Sequence, residues 1–77
     1  MSDWKDIKRV SGGNGKRLVV LANSRGLFRF VEETCFTEDG YAFWCPTHFS
    51  GFYDSADAAE RDARMELSWL RDERFSR

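Results

Sequence analysis

The sequence has few of the residues that usually hold small domains together by covalent bonds or metal ions. It contains two cysteines, Cys35 and Cys45, one histidine, His48, and one proline, Pro46. Two cysteines are too few for the disulfide framework that small secreted domains depend on. We therefore expect free thiols and a cytoplasmic location.

Long apolar runs are also absent. No stretch approaches the roughly 18 consecutive apolar residues that a membrane-spanning helix needs. The N-terminal residues MSDWKDIKRV lack the apolar segment of a signal peptide. We expect a protein that neither crosses nor binds a membrane.

The chain has the size and composition of a single folded domain covering residues 1–77. Its 77 residues are 42% hydrophobic and 32% charged, a balance typical of globular proteins. The net charge of −1 is unevenly distributed. Residues 1–30 are basic, residues 31–58 contain six acidic and no basic residues, and the remainder is balanced.

Three segments rich in β-branched and aromatic residues predict antiparallel strands. They are RLVVLAN (17–23), LFRFVEETCF (27–36) and YAFWC (41–45), separated by the turn sequences NSRG and TEDG. Pro46 should end the third strand or lie at a sheet edge. The segment FSGFY is either a short extension or a loop.

The N-terminal and C-terminal segments complete the predicted fold. Residues 4–10 fit either a short helix or, as we favour, a strand that pairs with residues 17–22. The segment from Asp54 to Phe75 predicts a helix with Asp54 or Ser55 as its N-cap. Its apolar stripe consists of Ala59, Ala63, Leu67 and Leu70, flanked by Met65 and Trp69. The sequence thus predicts an α+β fold, in which an antiparallel sheet of three or four strands packs on one C-terminal helix.

The glycine-rich segment SGGNGKR (11–17) superficially resembles a phosphate-binding loop. That loop requires a glycine where this chain has Val10 and a hydroxyl residue where it has Arg17, and it must lead into a helix. Here it leads into a predicted strand. We interpret the segment as a turn and predict no nucleotide site.

The two cysteines and the histidine are the candidate residues for a metal or catalytic site. Cys45 and His48 form one C-x-x-H clip, and Cys35 lies on the neighbouring predicted strand. Structural zinc sites usually combine two such clips, and a thiol nucleophile needs a base with an orienting group. We therefore predict no metal ion, no cofactor, no catalytic residue and no small-molecule substrate.

The predicted sheet has more aromatic residues than one helix can cover. If TEDG forms a three-residue bulged turn, residue 37 pairs with residue 41. One face then carries Leu27, Val31, Cys35, Tyr41, Phe43 and Cys45, and the other carries Phe28, Phe30, Phe36, Trp44 and His48. A single helix covers one face, so aromatics on the other face remain exposed unless Trp4 and Ile7 cover them.

The segment GFYDSADAAERDA (51–63) resembles the end of the AP2 plant DNA-binding domain and of the N-terminal arm-binding domains of phage integrases. The matching positions are Gly51, Tyr53, Asp54, Ser55 and Ala59. The resemblance implies a three-stranded sheet packed on a helix, with the outer face of the sheet reading DNA.

Two functional hypotheses follow. The first is a non-enzymatic protein that binds a protein partner, such as a basic or nucleic-acid-binding protein that it inhibits, or a second copy of itself. The residues predicted to form this aromatic, acid-rimmed surface are Phe28, Phe30, Trp44, Glu32, Glu33, Glu38 and Asp39.

The alternative is a nucleic-acid-binding domain in which sheet aromatics stack on bases. The basic N-terminal third would then contact phosphates, through Lys16, Arg17, Arg25 and Arg29. The acidic residues of the second and third predicted strands favour the first hypothesis.

Overall fold

The computed structural model describes residues 3–70 and consists of one sheet and one helix. The elements are β1 (Lys5–Ser11), β2 (Lys16–Ala22), β3 (Phe28–Glu38), β4 (Tyr41–Phe49) and α1 (Ala56–Glu66). The four strands are antiparallel and adjacent in chain order, and α1 contacts β2 and β3. The predicted α+β class is confirmed.

The N-terminal segment is the fourth strand. Val10 pairs with Leu18 and Lys5 with Ala22, so residues 5–11 run back along β2 across the glycine-rich loop. A bulge at Ile7 interrupts this pairing between Asp6 and Lys8. The predictions of an N-terminal strand and of a turn at SGGNGKR are both confirmed.

The turn between β3 and β4 differs from the prediction by one residue. Asp39 and Gly40 have φ angles of 54° and 83°, and Glu38 pairs with Tyr41. This is a two-residue Asp-Gly turn with both central residues in the left-handed region, and its twist matches that of the flanking strands. The predicted three-residue turn is wrong, and the one-residue shift moves every β4 side chain next to the turn to the opposite face.

The core lies between α1 and one face of the sheet, called here the helix side. Leu18, Val20 and Phe30 are the largest fully buried side chains, and they pack against Ala59 and Ala63. The two alanines lack bulk, so the helix approaches the sheet closely at this point. Burying each large side chain contributes about 1.5–3 kcal/mol to stability.

The helix begins as predicted but ends earlier. The Ser55 side chain accepts a hydrogen bond of 3.1 Å from the Ala58 amide, which identifies it as the N-cap. Leu67 adopts an extended conformation, and helical structure resumes at residues 68–70. The prediction of one continuous helix is therefore wrong at Leu67, and its last part lies outside the described residues.

The interruption at Leu67 has a tertiary cause. In a continuous helix, Trp69 would point about 120° away from the direction of Ala63. In the structure, Trp69 contacts the sheet through a hydrogen bond to Glu32, while Leu67 and Leu70 are buried. The break allows all three side chains to face the sheet.

Strand β4 forms one edge of the sheet and includes Pro46. The strand continues to Phe49, with a register shift opposite Glu32 and Glu33. Its position agrees with the expectation that Pro46 lies at a sheet edge. Further along, Tyr53 forms an isolated bridge to Phe28, so the segment FSGFY is partly an extension of the sheet.

Candidate interaction surfaces

Strands β3 and β4 extend beyond the rest of the sheet. The pairing of β2 with β3 ends at Lys16 and Thr34, whereas β3 continues to Glu38. Residues 35–44 therefore form a two-stranded projection, called here the projecting hairpin. Two-stranded hairpins are marginally stable in water unless another surface packs on them.

The helix side of the projecting hairpin carries three exposed aromatic rings. Phe36 and Phe43 are direct cross-strand partners with ring centroids 6.1 Å apart. They are 44% and 39% exposed, and Tyr41 beside the turn is 77% exposed. Cross-strand aromatic pairs stabilise a hairpin, but this pair also leaves a contiguous apolar surface open to solvent.

The turn of the projecting hairpin is acidic. Glu38 and Asp39 are both exposed, and within residues 3–70 neither carboxylate forms a salt bridge. The chain has no lysine or arginine between residues 30 and 60. The aromatic rings therefore lie beside uncompensated negative charge.

Trp44 lies on the opposite face, called here the outer face, because it pairs with Cys35 rather than with an even-numbered residue of β3. The Cζ atom of Arg17 is 4.1 Å from the centroid of the Trp44 ring. Arg17 also donates a hydrogen bond of 2.6 Å to the Glu33 carboxylate. Cation–π contact and ion pairing thus hold these three side chains together.

The middle of the outer face is covered without a second helix, although Trp44 and Phe49 on the same face are exposed. Val19 and Val31 are only 4% and 6% exposed there. Arg9, Arg17 and Arg29 lie beside them at positions of the same face. Long arginine side chains bury their methylene groups along such apolar surface while their charged ends stay hydrated.

Trp4 covers one end of the outer face. Its ring stacks on Phe52 with centroids 5.7 Å apart, and the Cζ atom of Arg29 lies 4.6 Å from its centroid. Ile7, by contrast, remains 49% exposed. Trp4 therefore covers part of the sheet, whereas Ile7 does not.

The predicted grouping of Phe28, Phe30 and Trp44 on one exposed face is wrong. Phe30 has no exposed surface and Phe28 packs against the same core, because both lie on the helix side. Trp44 lies on the outer face as a result of the two-residue turn. Neither phenylalanine of this group is available to anchor a partner.

Glu32 is also buried rather than part of an acidic rim. It is 8% exposed on the helix side, and its carboxylate accepts hydrogen bonds of 2.6 Å from Thr47 and 2.9 Å from Trp69. Burial by itself raises the pKa of Glu32, but these hydrogen bonds together with the nearby Lys16 and His48 outweigh it, and the net pKa is lowered. Glu33 faces the outer side, so only Glu38 and Asp39 remain as an exposed acidic pair.

The four predicted nucleic-acid contacts do not form one platform. Lys16 lies on the helix side and donates a hydrogen bond of 3.1 Å to Thr34. Arg17 and Arg29 are on the outer face, each over a tryptophan ring. Arg25 lies in the loop between β2 and β3.

The cysteines and the histidine do not converge. Cys35 is on the outer face, whereas Cys45 pairs with Thr34 on the helix side. His48 stacks on Phe30 and forms a hydrogen bond of 2.9 Å with Glu66. Among residues 3–70, no three His, Cys, Asp or Glu side chains are arranged to hold a metal ion.

Sequence reasoning did not select Phe36, Tyr41 and Phe43 as one surface. The signal was present in the Asp39-Gly40 dipeptide, which is typical of two-residue hairpin turns and fixes the register that groups these rings. Trp69 as the partner of Glu32 could not be found in this way, because it depends on the interruption of the helix.

Comparisons of this chain with protein-family models, with curated proteins and with solved structures find no match. The resemblance of residues 51–63 to AP2 and integrase domains thus stays a prediction. No helix within residues 3–70 has the length and apolar character needed to span a membrane.

Proposed function

We propose that this protein is a non-enzymatic interaction protein that binds a protein partner through the projecting hairpin. The observation that carries this proposal is the exposed ring cluster of Phe36, Tyr41 and Phe43 beside the acidic pair Glu38 and Asp39. Aromatic anchors next to a charged rim are the usual composition of an energetically important interface centre.

The position of the hairpin favours insertion into a cleft. Residues 35–44 project past β2, so a partner could contact both faces and the turn without displacing α1. The rings would fill an apolar cleft, and the two carboxylates would meet lysine or arginine at its rim. This is a chemistry that suits a basic partner, including a nucleic-acid-binding protein that this chain would inhibit.

Site-specific photocrosslinking in cells that express the protein tests this proposal. A photoreactive phenylalanine analogue at Tyr41 should give a defined adduct with another protein, identified by mass spectrometry. The matched control carries the analogue at Ile7, which is exposed on the opposite edge strand. Reversing the net charge of the turn with Glu38→Lys and Asp39→Asn, of which Asp39→Asn preserves the turn, should lower the Tyr41 adduct yield at least tenfold.

Two results would contradict the proposal. One is a Tyr41 adduct pattern that matches the Ile7 control. The other is an adduct yield that the charge reversal leaves unchanged, because the acidic turn would then have no part in recognition.

A second candidate function, nucleic-acid binding, is favoured by one feature of the outer face. Arg29 lies over Trp4, which stacks on Phe52, and within residues 3–70 no carboxylate forms a salt bridge with Arg29. Arg25 lines the cavity next to Trp4 and Phe52. Cations beside stacked aromatics are the elements of a base-stacking platform.

Amide chemical-shift titration with short single-stranded and duplex DNA tests this second candidate. Salt-sensitive shifts at Arg25 and Arg29, abolished by Arg25→Glu and Arg29→Glu, would support it. Unchanged spectra at low salt would eliminate it.

A further inference from the structure

We infer that the free edge of β4 pairs with the β4 edge of a second copy of this chain. The inference uses the backbone edge of the projecting hairpin, whereas the proposed function uses its side-chain faces and acidic turn. The two edges of the sheet differ in how they are protected, and this difference is the starting observation.

Strand β1 has features that block pairing with another strand. It carries the charged residues Lys5, Asp6, Lys8 and Arg9, and it contains the bulge at Ile7. Charged side chains and bulges are the means by which natural sheets prevent association through their edges. This edge is therefore closed to a second copy.

Strand β4 has no comparable protection in its first half. Residues 41–47, YAFWCPT, carry no charge. Pro46 and the register shift next to it lie in the second half of the strand. Residues 41–45 therefore present an apolar edge of a kind that is rare in proteins unless it is used for pairing.

The register shows which backbone groups of β4 are free. In a two-residue hairpin, the pair that flanks the turn exchanges both hydrogen bonds, and the next pair points its amide groups outward. Glu38 and Tyr41 are the flanking pair, so Ala42 and Trp44 direct their N–H and C=O groups away from β3. The same rule applies to Cys35, the β3 partner of Trp44, whose amide should point away from β4. This amide does donate a hydrogen bond of 2.7 Å to the Gly15 carbonyl, which agrees with the rule.

The outward-facing stretch is complementary to itself in the antiparallel direction. With Phe43 on the two-fold axis, Ala42 of each copy pairs with Trp44 of the other, and Tyr41 pairs with Cys45. Away from the axis, each pair joins a large and a small side chain, whereas the two Phe43 rings face each other. No charged residue lies within the paired stretch. An interface of this kind closes as a dimer and does not continue into a fibre.

A peptide strand from another protein is the competing occupant. The absence of charge from residues 41–47 favours a second copy, because it lets the two-fold arrangement form without meeting like charges. The dimer would also place Phe36 and Phe43 of both copies on one continuous aromatic surface.

Sedimentation of the full chain tests the inference. The wild-type protein should change from 9.0 kDa toward twice this mass as its concentration rises. The relevant range is about 10 µM to about 1 mM, as expected for a short interface. A mass of one chain at every concentration would overturn the inference.

Charge substitutions at the two-fold axis test the register. Phe43→Lys and Phe43→Glu should each weaken self-association at least tenfold, because like charges would meet directly. An equimolar mixture of the two variants should associate again. The control Ile7→Lys, on the opposite edge, should leave association unchanged.

A backbone variant makes the test independent of the Phe43 side chain. Ala42→Pro removes an N–H that points away from β3, so the hairpin ladder keeps its hydrogen bonds while the outward edge loses a donor. It should also give monomers. A dimer that persists in the Ala42→Pro and Phe43 variants, or that Ile7→Lys disrupts, would show that the chains associate elsewhere.

The outcomes separate this inference from the proposed function. A wild-type monomer that still gives the heterologous Tyr41 adduct would overturn the dimer and leave the proposed function standing. A dimer that responds to the substitutions as predicted, with only self-adducts at Tyr41, would support the dimer and contradict the proposed function.

Discussion

The indole Nε1 of Trp69 donates a hydrogen bond of 2.9 Å to Oε2 of Glu32, a carboxylate buried on the helix side of the sheet. Thr47 donates to the other carboxylate oxygen at 2.6 Å. These contacts connect the residues after α1 to the central strand β3. They also satisfy a charge that would be costly to bury alone.

Removing the indole donor should therefore destabilise the protein. Trp69→Phe keeps an aromatic ring but leaves one oxygen of Glu32 without its partner, which costs about 1.5–3 kcal/mol of unfolding free energy. Urea denaturation measures this loss. Arg61→Gln, an exposed substitution on α1, is the control and should change stability by less than about 0.5 kcal/mol. Equal stabilities of wild type and Trp69→Phe would show that the hydrogen bond contributes nothing.

Glu32 should also make stability depend on pH in the acid range. Its folded-state pKa is lowered from the ordinary value of 4.5, so its contribution is fully present above that value and is lost as the pH falls through the folded pKa. Glu32→Gln cannot titrate. Its unfolding free energy should fall less steeply than that of the wild type below about pH 4.5. If the unfolding free energies of the two proteins fell equally steeply in the acid range, this role of Glu32 would be contradicted.

Gly12 should tolerate no side chain. A Cβ atom at this position would lie 2.6 Å from Cε3 of Trp69, closer than packed carbon atoms approach. Gly12→Ala should cost about 1–3 kcal/mol of unfolding free energy, the usual effect of overpacking. Gly51→Ala is the matched control, since a Cβ there meets nothing within 4 Å. A similar effect of both substitutions would mean that Trp69 is not held against the loop.

The register of the projecting hairpin should depend on Gly40. This residue has a φ of 83°, which side chains other than glycine rarely adopt. Gly40→Ala should lower stability by about 1–2 kcal/mol, whereas Asp39→Asn should have little effect, because Asn-Gly forms the same turn. Amide exchange at Tyr41 and Phe43 would report the loosening of the hairpin. Unchanged exchange in Gly40→Ala would argue against the two-residue turn.

Most of the fold could be predicted from local sequence patterns. The apolar run in RLVVLAN, the alternation in LFRFVEETCF and the stripe from Ala59 to Leu70 identify strands and helix without reference to any distant contact. Ser55 was predictable as an N-cap for the same reason, because capping depends on neighbouring residues alone.

The candidate site was less predictable because side-chain faces depend on register. A turn shorter by one residue moves Trp44 to the outer face and Tyr41 and Phe43 to the helix side. Phe30 and Glu32 could not be recognised as buried, because the sequence does not show which face of the sheet the helix covers. In the structure, it covers the face that carries the even-numbered residues of β3.

What the sequence by itself determined is therefore the set of elements, their antiparallel order and the uneven distribution of charge, all of which follow from local periodicity and composition. Tertiary structure alone decided which aromatic residues are buried, where α1 ends and how Arg17, Glu33 and Trp44 come together. Those outcomes depend on contacts between residues far apart in the chain, whose free energies are comparable with local preferences and can override them.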